Sequence, residues 1–245
     1  MKKPWMSLIL TVAGVATAGA LALAGDTPWM SKPYQEWTQK DVTQILQDSP
    51  WAKSIPNVGG TLSQHGNTGL GGTEPTTSPG GAPGILPGEH GPDLSDDRTP
   101  KTYLVLWWSA KTVREAAARR EVLTGQLPAD QMDKGVTASP GDYEVLVQGV
   151  DMSIFDRRPE QSFMDKAFLQ AKSSKQKIMP TKVEYLKDSN GNVTSAIFHF
   201  PGKQAGGQVF TASDKRIDFY CHVGDGTIRT SFDLSKMVDA QGLDL

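Results

Sequence analysis

The sequence has 245 residues, 38% of them hydrophobic, and its 25 Lys and Arg against 27 Asp and Glu leave a formal charge of -2 at pH 7. So small an imbalance excludes nucleic acid as the main partner, and the length suits one domain with accessory segments rather than two cores. Cys221 is the single cysteine, which excludes an internal disulfide and a cysteine-based zinc cluster, so the fold must rest on apolar packing.

Lys2 and Lys3 precede an uncharged run, Leu8 to Leu23, that ends in the small-residue pattern Ala22-Leu23-Ala24. This is the layout of a secretory signal peptide over residues 1–24, cleaved after Ala24. The alternative is a retained anchor, because the uncharged stretch Pro4 to Gly25 approaches the length of a membrane span. Its many Ala, Gly and Thr residues make it a weak one. No cysteine follows the run, so no lipoprotein attachment is expected. The sequence therefore predicts a periplasmic or secreted protein that meets the membrane only through an uncleaved signal.

Residues 33–54 form an amphipathic, Trp-bearing segment with a helix expected over Tyr34 to Asp48. Thr38 and Asp41 have the spacing of a capping box, Trp37 can staple onto Val42, and Val42, Ile45 and Leu46 share one face. Ser49-Pro50 is read as opening one more helical turn carrying Trp51. Trp37 and Trp51 need a surface to bury against, either the later domain or a partner protein, and they are the candidate partner-docking residues. Residues 56–101 are rich in Gly, Pro, Ser and Thr, too poor in apolar surface to offset the entropy of ordering, and read as a flexible linker.

Residues 102–245 read as the globular domain. Tyr103 to Trp108 is a central strand, apolar on both faces, and leads into a helix from Lys111 to about Thr124, with a capping-box pattern at Thr112 and Glu115 and Gly125 as the stop. Trp107 and Trp108 point to opposite faces, and the front helix is the natural cover for the outer one. Asp142 to Val150 is β-rich, and Pro159 to Lys172 reads as a helix with Phe163, Ala167, Phe168 and Ala171 near one face. Two hairpins follow, one turning at Asn190-Gly191 as type I′ and one at Asp225-Gly226. In the second, a two-residue turn would pair Val223 with Ile228, Cys221 with Thr230 and Phe219 with Phe232. The sum is an α+β fold with an antiparallel or mixed sheet of about five or six strands and helices on one face.

The candidate chemistry is sparse. Cys221 and His222 are strand neighbours and diverge, which leaves Cys221 a small buried hydrophobe rather than a nucleophile. Asp218, Tyr220, His222 and Arg229 share the polar face of the second hairpin and form the candidate surface site, which His199 extends if the hairpins lie side by side. His65 and His90 fall in the linker and no metal-ligand spacing occurs, so no metal and no cofactor is expected. Ser174 to Lys177 matches S-x-x-K without the other elements of penicillin-binding enzymes. Arg114, Arg119, Arg120, Arg157 and Arg158 could hold an anion, with pairing to Glu115 and Glu121 the plainer use.

The motifs Trp37-Thr38-Gln39-Lys40-Asp41-Val42, Asp48-Ser49-Pro50-Trp51-Ala52-Lys53, Trp108-Ser109-Ala110 with Val113-Arg114-Glu115-Ala116, and Phe232-Asp233-Leu234 with Met237 resemble an uncharacterised family of exported proteins of Acidobacteria. The resemblance implies export and this architecture, and it carries no assigned activity and no site residues. The function expected is a non-enzymatic binding or scaffolding module with an unknown protein or envelope component as partner. The alternative is an uncommon periplasmic hydrolase using His222, Asp218 and Arg229.

Overall fold

The structure, a computed structural model, describes residues 27–57, 62–63, 101–136, 140–204, 207–224 and 226–245. The signal-peptide reading, His65, His90 and nearly all of the linker reading lie outside these residues. Helix α1 is Pro28–Ser31 and α2 is Gln39–Gln47, followed by strands β1 (Ala52–Asn57), β2 (Leu62–Ser63) and β3 (Lys101–Trp107). Helices α3 (Lys111–Leu123) and α4 (Met132–Val136) lead to β4 (Tyr143–Gly149), α5 (Ser153–Asp156), β5 (Ala167–Ala171) and β6 (Lys177–Ile178). Then come the hairpin of β7 (Lys182–Lys187) and β8 (Val193–Phe200), the small ribbon of β9 (Lys203–Gln204) and β10 (Gly207–Gln208), the hairpin of β11 (Arg216–Val223) and β12 (Gly226–Asp233), and a last ribbon of β13 (Val238–Asp239) and β14 (Gly242–Leu243).

The fold is α+β, and ten of the described strands are divided between two sheets of five, the other four forming the two ribbons. One runs β1-β3-β4-β8-β7, antiparallel throughout; the other runs β2-β12-β11-β5-β6, with only the short β2 parallel to its neighbour. Side chains alternate across each strand, so each sheet turns one apolar face inward. There Trp107 meets Phe232 with ring centres 5.2 Å apart, and Phe198 and Phe200 meet Phe219 at 5.5 and 6.3 Å. The opposite face of the first sheet carries Leu106 and Leu146, both buried, and α2 and α3 contribute Val42, Ile45, Val113 and Ala116 to the same apolar cluster.

The front helix forms where its cap predicts. Thr38 Oγ1 accepts from Asp41 N at 3.3 Å and Asp41 Oδ2 accepts from Thr38 N at 2.7 Å, while Lys32 pairs with the same carboxylate at 2.7 Å. No further helical turn follows. Ser49 Oγ donates to Ile45 O, the chain turns, and β1 begins at Ala52, so Trp51 stands at a strand's start. β1 pairs with β3 along its length from Ala52 opposite Leu106 to Asn57 opposite Lys101. The expected linker is thus shorter than 56–101: Pro56, Asn57 and Lys101 belong to the first sheet and Leu62–Ser63 to the second. Pro56 is tolerated because β1 is an edge strand, where one missing donor costs little.

Both tryptophans are consumed by this packing, a correction to their expected role in docking a partner. Trp37 is 2% exposed and Trp51 fully buried. Trp37 Nε1 donates to the carbonyls of Pro28 and Lys32, and Trp51 Nε1 donates to Asp244 O at 2.8 Å, with Trp29 packed edge-on at 5.3 Å. Trp107 is likewise buried, whereas Trp108 lies just past the strand and is half-buried.

Three other expectations change. Helix α3 does not use the Thr112–Glu115 box; its N-cap, Ala110, has no side-chain acceptor, and the Asp244 carboxylate instead accepts from Lys111 N at 2.6 Å and Thr112 N at 2.9 Å. Its stop at Gly125 holds, with φ 74° there. Residues 159–172 are not a helix: a short 3₁₀ turn, Glu160–Phe163, precedes β5, in which Ala167, Leu169 and Ala171 face inward. A five-residue apolar run fits either period, and pairing with β11 decides it. In the first hairpin only Gly191 has positive φ, 86°, and Asp188 organises the loop by accepting from Asn190 N and Asn192 N. That is not a type I′ turn, which needs positive φ at both central residues.

Removing the Asp244 side chain should expose two helix N–H groups to an empty polar site. Asp244→Ala is expected to cost about 2 kcal/mol of folding stability, and Trp51→Ala about 3–5 kcal/mol, both read from urea unfolding midpoints.

Candidate functional site

The second hairpin pairs two residues out of the expected register. Val223 faces Gly226, Cys221 faces Ile228 and Phe219 faces Thr230, so the turn begins at Gly224, whose φ is 57°, rather than at Asp225. Because the slip is an even number, every side chain keeps its face. Cys221 points inward and is fully buried, and burial pushes its thiol well above the ordinary range.

On the outer face Asp218 is the hub. Its Oδ1 accepts from Arg216 Nε at 2.9 Å and from Ser231 Oγ at 2.6 Å, and Ser231 Oγ accepts in turn from Arg216 Nη2 at 2.6 Å. Arg229 lies 3.6 Å from Oδ2 and the Tyr220 hydroxyl 3.5 Å. Burial raises the Asp218 pKa, yet the Ser231 and Arg216 hydrogen bonds and the two guanidinium charges outweigh it and hold the carboxyl below its usual 3.8.

Beside this hub a row of rings and cations crosses four strands. Arg229 of β12 lies over the Tyr220 ring of β11 at 4.9 Å, Tyr220 stacks on Phe168 of β5 at 4.6 Å and 18°, and Lys177 of β6 covers Phe168 at 4.2 Å. Tyr220 stands directly opposite both Phe168 and Arg229 in the register. Cross-strand pairs of this kind contribute roughly 0.2–1 kcal/mol each. A helix over 159–172 would not place Phe168 on this face, and Lys177 reaches it only because β6 pairs with β5. The usable signal was the alternation in Ala167-Phe168-Leu169-Gln170-Ala171, with its two larger outward side chains.

The structure brings Asp218, Tyr220 and Arg229 together, while His222, on the same face two residues along β11, makes its side-chain contact elsewhere. His222 Nδ1 is 2.9 Å from Thr227 Oγ1, the residue opposite it. His199 does not extend the patch, because its hairpin belongs to the other sheet. It sits between Glu144 (3.3 Å) and Glu184 (2.9 Å) on that sheet's outer face, and Lys182 also pairs with Glu184 at 2.9 Å. Ser174 accepts from Gln176 N while Lys177 lies over Phe168, so the S-x-x-K pair forms no catalytic contact. Two of the arginines hold backbone carbonyls: Arg114 donates to Ser109 O and Val136 O, and Arg119 to Trp37 O at 2.9 Å. Among the described residues no group of His, Cys, Asp and Glu is arranged to hold a metal ion, and no helix is long and apolar enough to cross a membrane.

Comparison with protein-family models, with curated proteins and with solved structures finds no match.

A carboxyl group held low in the folded state favours folding above its unfolded pKa, and that contribution disappears as pH falls through the folded value. Wild-type protein should therefore lose stability more steeply than Asp218→Asn on acidification below about pH 4, seen as converging urea midpoints. Cys221 should react with a thiol reagent only as fast as the protein unfolds, so saturating reagent and added urea should give parallel rates.

Proposed function

We propose that this chain is a non-enzymatic binding module working outside the cytoplasm, in the periplasm or secreted, and that it meets its partner through the outer face of β6, β5, β11 and β12. The observation that carries the reading is the continuous Lys177–Phe168–Tyr220–Arg229 row beside the Asp218 hub. Aromatic and arginine side chains dominate binding energy at protein interfaces, and here each is already held by its neighbour, so little side-chain entropy is lost on contact. Two cations, two rings and one engaged carboxylate suit a protein component of the envelope carrying acidic and aromatic groups. Nucleic acid remains a poor partner for a chain of net charge -2. Export rests on Lys2, Lys3, the apolar run and Ala22-Leu23-Ala24, and on the resemblance to exported Acidobacteria proteins.

The hydrolase alternative has less support. A general base needs hydrogen-bond reach to the proton that it takes and an orienting partner. His222 is engaged with Thr227 rather than Asp218, and Asp218 Oδ1 already accepts from Arg216 and Ser231 while Oδ2 faces the Tyr220 hydroxyl and Arg229.

The test is equilibrium binding of the mature protein, from Gly25 onward, to isolated envelope protein from its own cells. Tyr220→Ala with Arg229→Ala should weaken binding by about tenfold or more in a protein that remains folded at the assay temperature, its melting temperature lowered only by the lost cross-strand pairs, while the same exchange at His222 should have little effect on binding. Equal binding by the double variant would sink this assignment of the surface. Sequencing the exported chain should find Gly25 at its amino terminus; retention of Lys2 and Lys3 would replace the cleaved signal with an anchor.

A further inference from the structure

The end of the second sheet is built differently from its face. The carboxyl-terminal ends of β5 and β12 and the start of β11 leave an open cleft of about 930 Å³, lined by Lys172, Ser173, Ser213, Lys215, Arg216 and Ser235 together with Asp214 and Asp233. Its acidic groups are already engaged. Asp214 accepts from Ser173 Oγ at 2.5 Å and from Thr211 N at 2.8 Å, and Asp233 accepts from Ser235 N at 3.1 Å and Ser235 Oγ at 2.6 Å. Arg216 is turned toward Asp218 and Ser231. Lys172 and Lys215 are exposed, and no carboxylate among the described residues lies within ion-pairing distance of either ammonium group.

Lys215 is also held in an unusual backbone conformation, φ 58° and ψ -42°, which lies outside the left-handed helical well that lysine can enter at modest cost. The surroundings impose it. Leu234 N donates to Lys215 O at 2.8 Å, Lys172 N donates to Arg216 O at 3.0 Å, and the Asp214 bonds fix the turn before it. A side chain kept where glycine would relieve the strain points to a use for that side chain, since such outliers gather at ligand sites.

We infer that this cleft is a binding site for a small ligand bearing a phosphate or carboxylate group, with the ammonium groups of Lys172 and Lys215 supplying both the charge and the hydrogen bonds. Ammonium groups act as compact point charges with three donors each, which suits an oxyanion without demanding one planar geometry. The cleft is open, so the attraction is screened by salt and affinity should fall as ionic strength rises. The site goes beyond the partner surface proposed above, because its lysines lie at the sheet's end and not in the row of rings.

The test titrates the mature protein at low ionic strength with inorganic phosphate and, separately, with succinate, following backbone amide shifts by NMR. Saturable shifts confined to residues 172–173 and 212–216 are expected with at least one anion. Saturation by phosphate alone assigns a phosphorylated ligand, and saturation by succinate alone assigns a carboxylate. Lys172→Ala and Lys215→Gly should each weaken binding about tenfold, and Lys215→Gly folds because glycine accepts this φ. Lys175→Gly is the control: Lys175 also has positive φ, 56°, and carries the same charge, but it lies outside the cleft lining. No saturation with either anion overturns the site, and so does binding that survives either cleft variant or falls equally in the Lys175 control.

Discussion

The arrangement depends on Asp244, which joins three parts of the chain that nothing local holds together. Its carboxylate accepts from the first two N–H groups of α3, its carbonyl accepts the Trp51 indole N–H, and its own N–H donates to Met237 O. Each bond answers a need that would otherwise be unmet. Helix α3 leaves β3 through Ala110, which offers no side-chain acceptor, so its orphan N–H groups and the positive end of its dipole require an anion from elsewhere. A buried indole N–H without an acceptor would lose its solvation for nothing. One buried residue satisfies both, and thereby fixes the front segment beside the strand that precedes α3.

From that point the rest of the first sheet follows. Trp107 N donates to Trp51 O at 2.8 Å, which continues the β1–β3 ladder up to the helix entrance. The front helix then packs against α3, and Arg119 reaches back to Trp37 O. Inside, Trp107 rests on Phe232 of the opposite sheet, so the strand with which the front segment pairs is packed on the strand carrying Arg229 and Ser231. The core therefore supports the candidate surface directly. The inner residues Phe219, Cys221 and Phe232 anchor β11 and β12 in the core, and the alternation of the strands presents Asp218, Tyr220 and Arg229 on the other side.

What could be read from the sequence was what is decided locally. The Thr38–Asp41 cap, the Gly125 stop and the two hairpins each depend on residues a few positions apart, and the polar face of β11 survived a two-residue register slip because the side-chain period is two. What could not be read was decided by distant partners. Asp244 caps a helix more than a hundred positions away. Phe168 becomes an outward strand residue only because Tyr220 is opposite it, and Pro56 lies in a strand only because β3 offers an antiparallel neighbour. The division into two sheets has the same origin, since no local pattern says which hairpin packs over which.

These contacts are what the proposed binding role of the outer face rests on. Catalytic groups usually keep a hydrogen-bond donor or acceptor free and aimed at the place where a reacting atom will sit. Here Asp218 is already supplied with donors from two neighbours, Tyr220 is fixed between a ring and a guanidinium, and His222 is bonded across the strand pair to Thr227. Such a lattice resists rearrangement, and rigidity lowers the entropy lost when a partner settles on it. The cleft at the sheet's end differs in that its carboxylates accept hydrogen bonds from neighbours, while the ammonium groups of Lys172 and Lys215 have no ion-pair partner among the described residues, and it is these free donors that the inferred anion site would use.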